Sequence, residues 1–235
     1  MATNRAEALS ERDQRRRDSE IRLVRKGPES KRRRKASLSQ MLWGLDWRER
    51  LPLTVTEDGV SLHASTFEES MPFVQSHYAE IFHHDAQSLF ASAPSSPQKE
   101  HFYRVAGDFF ELRDGEETVG LVVGNPVDWS TYYIRSVAVL PNRQGRGIAS
   151  RCLGVLIGEL ERAGLERVEI ETLPSNAVML GVLTALSFNV TGTVLTERWG
   201  ALIRLTRFLS VPCGDIFTRA FCGGAAFPLR SRSAV

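Results

Sequence analysis

Apolar and polar positions change rhythm several times along the chain. From Thr66, the run TFEESMPFVQSHYAEIFHHDAQSLF sets Phe67, Met71, Val74, Tyr78, Ile81 and Phe82 at three- and four-residue spacing, which predicts an amphipathic helix. Just upstream, TVTEDGVSLHAST reads as two extended pieces joined by a turn at Asp58-Gly59. Before that, Met41–Val55 brings two tryptophans and several leucines and reads as the first segment docked on the fold. ASAPSSPQKE reads as a loop by its proline and serine content. The rhythm then shortens to two. DFFELRDG and ETVGLVVGN meet across Arg113-Asp114-Gly115 as a hairpin, and TYYIRSVAVLP supplies a third strand that stops at Pro141. GIASRCLGVLIGELERAG returns to helical spacing through Ile148, Cys152, Val155, Leu156 and Leu160, with Gly164 closing it. RVEIETLP alternates, Val168 and Ile170 on one face and Glu169 and Glu171 on the other. SNAVMLGVLTALSF is a second helix, capped by Ser175 or Asn176, and NVTGTVLTERWG with ALIRLTRFL makes a closing β pair. The order after Asp108 is β-β-β-α-β-α-β-β, a mixed α/β domain.

The two ends lack this patterning. Residues 1–40 carry charge in nearly every turn and little to bury, which predicts a disordered basic segment ahead of a domain at 41–209. Within it, KRRRKAS fits a solvated tail, an import patch, a kinase site at Ser37 or a contact for an acidic partner. Residues 210–235 form an extension with one short helical stretch at Asp215–Phe221; its Phe217, Phe221 and Phe227 suggest a docked cap or a homodimer contact.

Composition narrows the function. The chain has 235 residues, 42% hydrophobic and 25% charged, which suits one globular domain plus tails. Net charge is +2, but residues 1–35 hold 13 Lys/Arg against 6 Asp/Glu, leaving 17 against 22 in the body. A mildly acidic body argues against nucleic acid as its partner. Three cysteines, Cys152, Cys213 and Cys222, make no disulfide framework and fit a reducing, cytoplasmic setting. No signal peptide is evident, and the most apolar run, Cys152–Leu160, is too short to span a bilayer, so no membrane role is expected. His77, His83, His84 and His101 lack the spacing of a ligand set, so no metal is expected.

The chemistry concentrates in PNRQGRGIAS, residues 141–150, between a strand and a helix. A helix's first turn has free N–H groups and a partial positive end, and glycines let an anion approach the backbone. Arg143 and Arg146 add guanidinium forks that match phosphate oxygens. The run therefore reads as a pyrophosphate cradle, or as a glycine-rich β–α turn with solvated arginines. It is not a P-loop, lacking G-x-x-x-x-G-K-[ST]. Nor is it a Rossmann fingerprint, since Gly145-Arg146-Gly147-Ile148-Ala149-Ser150 ends in serine.

Gln144-Gly145-Arg146-Gly147-Ile148-Ala149 resembles the Q/R-x-x-G-x-G/A signature of the GNAT superfamily of N-acetyltransferases. The resemblance continues through SVAVLPNRQGRGIASRCL and VEIETLPSNAVMLGVLTALSFNVTG, covering about Phe109 to Phe208 well and Thr54 to Phe90 loosely. It implies a mostly antiparallel central sheet flanked by helices and acetyl-CoA as co-substrate. It further implies that Gln144, Gly145, Arg146, Gly147, Ile148 and Ala149 hold the pyrophosphate. Val137, Ala138 and Val139 would bond the pantetheine arm through their main chain, and Asn176 would contact that arm. The implied reaction is acetyl transfer to a primary amine of an unidentified acceptor.

That reaction needs a base for the amine, a polarised carbonyl and a proton for the departing thiolate. Glu171, five residues before Asn176, is the candidate base, with Glu169 as its substitute. Tyr133 stands where some relatives carry a glutamate base. The family's acid, a tyrosine seven residues after the asparagine, is replaced by Leu183. Either the thiolate then leaves without help, or Tyr132, Tyr133 or Cys152 serves, or activity is weak or lost. A weakly active acyl-CoA-binding module, and transfer from a longer acyl-CoA or an acyl carrier protein, are the alternatives. PVDWSTYY and TERWGAL, with Trp129 and Trp199, are expected to line the acceptor groove.

Overall fold

The computed structural model describes residues 37–81, 97–196 and 199–221. The basic segment up to residue 36, the His83-His84-Asp85 run and the last phenylalanine, Phe227, lie outside the described residues. The elements are helices α1 (Leu38–Trp43) and α2 (Trp47–Arg50), strands β1 (Leu53–Thr54) and β2 (Val60–Ser65), helices α3 (Phe67–Ile81) and α4 (Pro97–Ala106), strands β3 (Asp108–Asp114), β4 (Glu117–Pro126) and β5 (Thr131–Val139), helix α5 (Ile148–Arg162), strand β6 (Arg167–Thr172), helix α6 (Ala177–Ala185), strands β7 (Asn189–Thr196) and β8 (Gly200–Phe208), and helix α7 (Val211–Phe221). After Asp108 this is the expected β-β-β-α-β-α-β-β order.

The strands form one sheet in the order β1-β2-β3-β4-β5-β6-β8-β7. All neighbours are antiparallel except β5 and β6. That parallel pair needs a crossover, and α5 is long and apolar enough on one face to provide it. Adjacent residues of β4 point to opposite faces. Val122 joins the larger core with Phe110, Ile134, Ile170 and the α5 residues Leu153, Leu156 and Leu160, whereas Leu121 joins Phe73, Ala138 and Leu140 beneath α3.

Three elements differ from the sequence reading. Pro97–Glu100 opens α4 instead of ending a loop, because proline is well placed in a first helical turn. The C-terminal helix starts at Val211, not Asp215, and stacks Phe217 on Phe208 at 5.0 Å between ring centroids. The docked fold also begins before residue 41. Ser37 caps α1 by accepting from Gln40 N at 3.2 Å, and Asp46 caps α2 by accepting from Arg48 N at 3.0 Å.

The α1–α2 segment acts as a strap over the larger core. Leu45 and Trp47 are buried in it. Trp43 Nε1 donates to Trp129 O at 2.7 Å, Arg50 pairs with Glu159 of α5 at 3.1 Å, and Ser39 Oγ donates to Asp108. Asp108 is buried at the start of β3 and also accepts from Tyr132 Oη at 3.1 Å. Among the described residues, its side-chain donors Ser39 and Tyr132 are both neutral hydroxyls. Burial, partly offset by these neutral donors, raises its carboxyl to about 6. Trp47 Nε1 lies close enough to favour the carboxylate, yet it is buried without a hydrogen bond of good geometry.

Candidate active site

The site begins with a bulge. Strand β5 pairs with β4 through Val123↔Ser136 and then Gly124↔Ile134, so Arg135 is one residue too many. A bulge bends its strand, and β5 leaves β6 at this point. The two are paired only from Thr131↔Arg167 to Ile134↔Ile170. From Ser136 to Val139, β4 is the strand that β5 pairs with among the described residues. The other edge of β5, with the main-chain groups of Val137 and Val139, faces a wedge between the strands, whereas Ala138 turns its own toward Leu121 of β4. Ala138 and Val139 are buried and Val137 is half-buried.

At the open end of β5 the chain makes a short 3-10 turn, Pro141–Arg143, and then the glycine loop. Gly145 and Gly147 both have φ of +74°, the left-handed region that glycine enters without strain. A side chain at Gly145 would meet no atom within 4 Å, so the glycine is required by backbone conformation and not by crowding. Gly147 is the N-cap of α5, and no side chain caps the helix there. The hydrogen-bond ladder starts with Arg151 N donating to Gly147 O at 3.0 Å. The amides of Ile148, Ala149 and Ser150 precede it, at the positive end of a 15-residue helix. Ile148 is buried and plugs the turn into the core, while Gln144, Gly145, Arg146 and Gly147 are exposed. Gln144 Nε2 donates to Val139 O at 2.9 Å and ties the loop to the end of β5.

The two loop arginines have different fates. Arg143 turns away to Asp114 at 2.9 Å and Glu117 at 2.8 Å, bracing the β3–β4 hairpin. It is not the free phosphate ligand that its position suggests. Arg146 stays exposed beside its own turn, bonding Asn142 O at 3.4 Å. Arg151, which sequence reading passed over, brings its guanidinium within 3.9 Å of where a Gly147 side chain would start. The signal was its place in the first turn of α5.

Glu171 follows the last β5–β6 pair, at the mouth of the wedge. Its side chain is 10% exposed. Tyr133 Oη donates to Glu171 Oε2 at 3.2 Å, and Arg204 of β8 donates to Oε1 through Nε at 2.9 Å and Nη2 at 2.6 Å. Burial and the neighbouring carboxylate push the Tyr133 phenol up to about 12, so it remains protonated at neutral pH. Glu169 shares the β6 face with Glu171 and is half-buried. The structure joins Glu171 and Tyr133 by a hydrogen bond and adds Arg204, paired with Glu171 across the β6–β8 ladder.

Other expected contributors are placed elsewhere. Tyr132 is fully buried and bonded to Asp108, not exposed to a groove. Cys152 is fully buried in α5, and burial pushes its thiol up to about 12. Leu183 is fully buried in the larger core, so the family's tyrosine position here serves packing. Asn176 caps α6, its Oδ1 accepting from Met179 N at 3.1 Å. The β4–β5 loop with Trp129 enters β5 at the end opposite the glycine loop, whereas the β7–β8 turn with Trp199 lies at the Glu171 end of β6. Among the described residues, no group of three or more His, Cys, Asp or Glu is placed to hold a metal, and no helix is long and apolar enough to cross a membrane.

Comparison with known proteins agrees with this architecture. Three solved structures share the fold. The ribosomal L7/L12 α-N-protein acetyltransferase RimL has a TM-score of 0.53 and 19% identity, over 67% of this chain and 94% of that one. YncA, a putative acetyltransferase from Salmonella typhimurium solved with its cofactor acetyl-CoA, has a TM-score of 0.51 and 18% identity, over 65% and 95%. Spermidine N-acetyltransferase from Vibrio cholerae, solved with CoA and spermine, has a TM-score of 0.51 and 15% identity, over 65% and 97%. No curated protein matches the sequence significantly. Residues 74–188, which hold the hairpin, the split strand pair, the glycine loop and both following helices, match the profile of the Acetyltransferase (GNAT) family, so this stretch is a GNAT acetyltransferase domain.

Proposed function

We propose that this protein transfers an acetyl group from acetyl-CoA to a primary amine. The observation that carries the reading is the parting of β5 from β6 directly in front of an uncapped, glycine-led helix N-terminus. Acetyl-CoA fits this place on three counts. The positive-φ glycines leave open space before the amides. Arg146 and Arg151 stand beside them. The free edge of β5 offers main-chain groups to an extended polar arm. The amides from Gln144 to Ala149 would hold the pyrophosphate, the main chain of Val137 and Val139, on either side of Ala138, the pantetheine arm, and Asn176 would flank it. Bound there, acetyl-CoA supplies a thioester as the acyl donor.

The chain's own groups then handle protons. The acceptor nitrogen forms a C–N bond as the C–S bond breaks, and its proton passes to Glu171. Tyr133, protonated and already bonded to Glu171, gives its proton to the departing sulfur and recovers one from Glu171. The net transfer is from amine to thiol, with both residues restored. Main-chain N–H groups of β5 near Val137 polarise the carbonyl.

A second reading is favoured by one observation. Leu183, buried where the family carries a tyrosine acid, cannot donate, which suits a weakly active acyl-CoA-binding module. Thiol release from acetyl-CoA with a panel of primary amines separates the two. Transfer predicts amine-dependent release that drops at least about 100-fold in Glu171→Gln and in Tyr133→Phe, each with acetyl-CoA affinity retained. Binding without release for any amine or longer donor would leave the module.

A further inference from the structure

Strand β7 ends the sheet and pairs only with β8 among the described residues. Its eight residues, NVTGTVLT, include no charge and no proline, and none is buried. Exposed edge strands usually carry charges or proline, because an open row of main-chain groups recruits another strand. This edge does the opposite and displays Val190, 61% exposed, and Leu195, 82% exposed.

The spacing of those two residues is informative. Five positions apart, they would lie on opposite faces of a regular strand. A bulge intervenes, however. Val190 faces Leu205 and Gly192 faces Arg204, so Thr191 is the extra residue, and its Oγ1 lies 2.8 Å from Thr206 Oγ1. The bulge brings Val190, Thr193 and Leu195 to one face, opposite Leu205, Ile203 and Ala201. All three are exposed. In ladder positions, Thr193 lies midway between the other two.

We propose that β7 is a homodimer interface, pairing antiparallel with β7 of a second copy about a twofold axis at Thr193. Under that operator Thr193 meets itself, and Val190 of each copy lies opposite Leu195 of the other. Two apolar cross-strand pairs flank a threonine pair on one face. The strand is self-complementary, as a twofold interface demands, and its lack of charge means that no like charges oppose. The bulge matters here, because without it Val190 and Leu195 would not share a face.

The test uses the full chain in sedimentation equilibrium over a wide range of concentration. The wild type is expected to dimerise. Thr193→Lys and Thr193→Glu each place like charges face to face at the axis, and each is expected to raise the dimer Kd at least about tenfold. Mixed in equal amounts, the two should restore dimers, because lysine then meets glutamate. Thr193 is exposed, so the far-UV circular dichroism of both variants should match the wild type. Should either be destabilised, Leu195→Lys provides the same test at the most exposed position of the strand. A wild type that stays monomeric overturns the proposal, and so does a dimer that survives both single charges. A mixture no tighter than its components refutes the axis at Thr193.

Discussion

The buried carboxylate of Asp108 makes a quantitative prediction. Among the described residues it has neutral donors and no ion pair, and its carboxyl lies at about 6 instead of the ordinary 3.8. The difference corresponds to about 3 kcal/mol between the protonation states. The sign follows from proton counting. Between pH 4 and 6 the folded chain holds a proton on Asp108 that the unfolded chain has released, so Asp108 makes stability fall as pH rises through that window. Above pH 6 both states are ionised, and the folded one bears the full cost. Asp108→Asn cannot ionise, though its amide keeps an oxygen to accept from Ser39 and Tyr132. Its added N–H groups cost about 1–3 kcal/mol if left unpaired, but that cost does not depend on pH. Urea unfolding of wild type and variant from pH 4 to 7.5 isolates the effect. Between pH 4 and 7.5 the stability difference between them should shift by about 2.5 kcal/mol in favour of the variant as pH rises, nearly all of it below pH 6.5. Parallel profiles would show that the carboxylate is not desolvated and that the strap is held some other way.

Three further predictions concern the site. Gly147→Glu puts a side chain on a residue at φ +74° and a negative charge before the amides of α5; acetyl-CoA affinity measured by calorimetry should fall at least about 100-fold. Arg204→Gln removes two charge-assisted donors from Glu171; kcat should drop about tenfold or more and its pH profile should shift, with acetyl-CoA affinity unchanged. Leu183→Ala empties a fully buried position; it should cost about 2–5 kcal/mol in chemical denaturation.

Much of the fold could be read from the sequence because local rules settled it. The hairpin at Gly115, the Asn176 cap, the alternation of β6 and the two helical periods all depend on residues close in the chain. The glycine loop was legible for the same reason, as strand, turn and helix are consecutive. Long-range pairing was not legible. Nothing in ALIRLTRFL shows that Arg204 will face Glu171, 33 residues away, because that follows from β8 inserting between β6 and β7. Arg143 looked like a phosphate ligand because sequence does not reveal that the β3–β4 hairpin brings two carboxylates beside it. Tyr132 and Tyr133 are neighbours with the same local propensity. The pleat sends one into the core and the other to Glu171.

The position of β8 separates recognisability from cohesion. The family segment stops at residue 188, before β7 and β8. A fragment cut there would keep the glycine loop and both wedge strands. It would also leave β6 as a naked border, with Val168 and Ile170 beside an unfilled ladder where Leu205 had packed. Cut at residue 74 as well, it would lose Leu45 and Trp47 from the middle of the core. The stretch by which this protein is known is therefore smaller than the stretch that must fold together, and an expression boundary drawn at the former would yield a sticky, incomplete sheet.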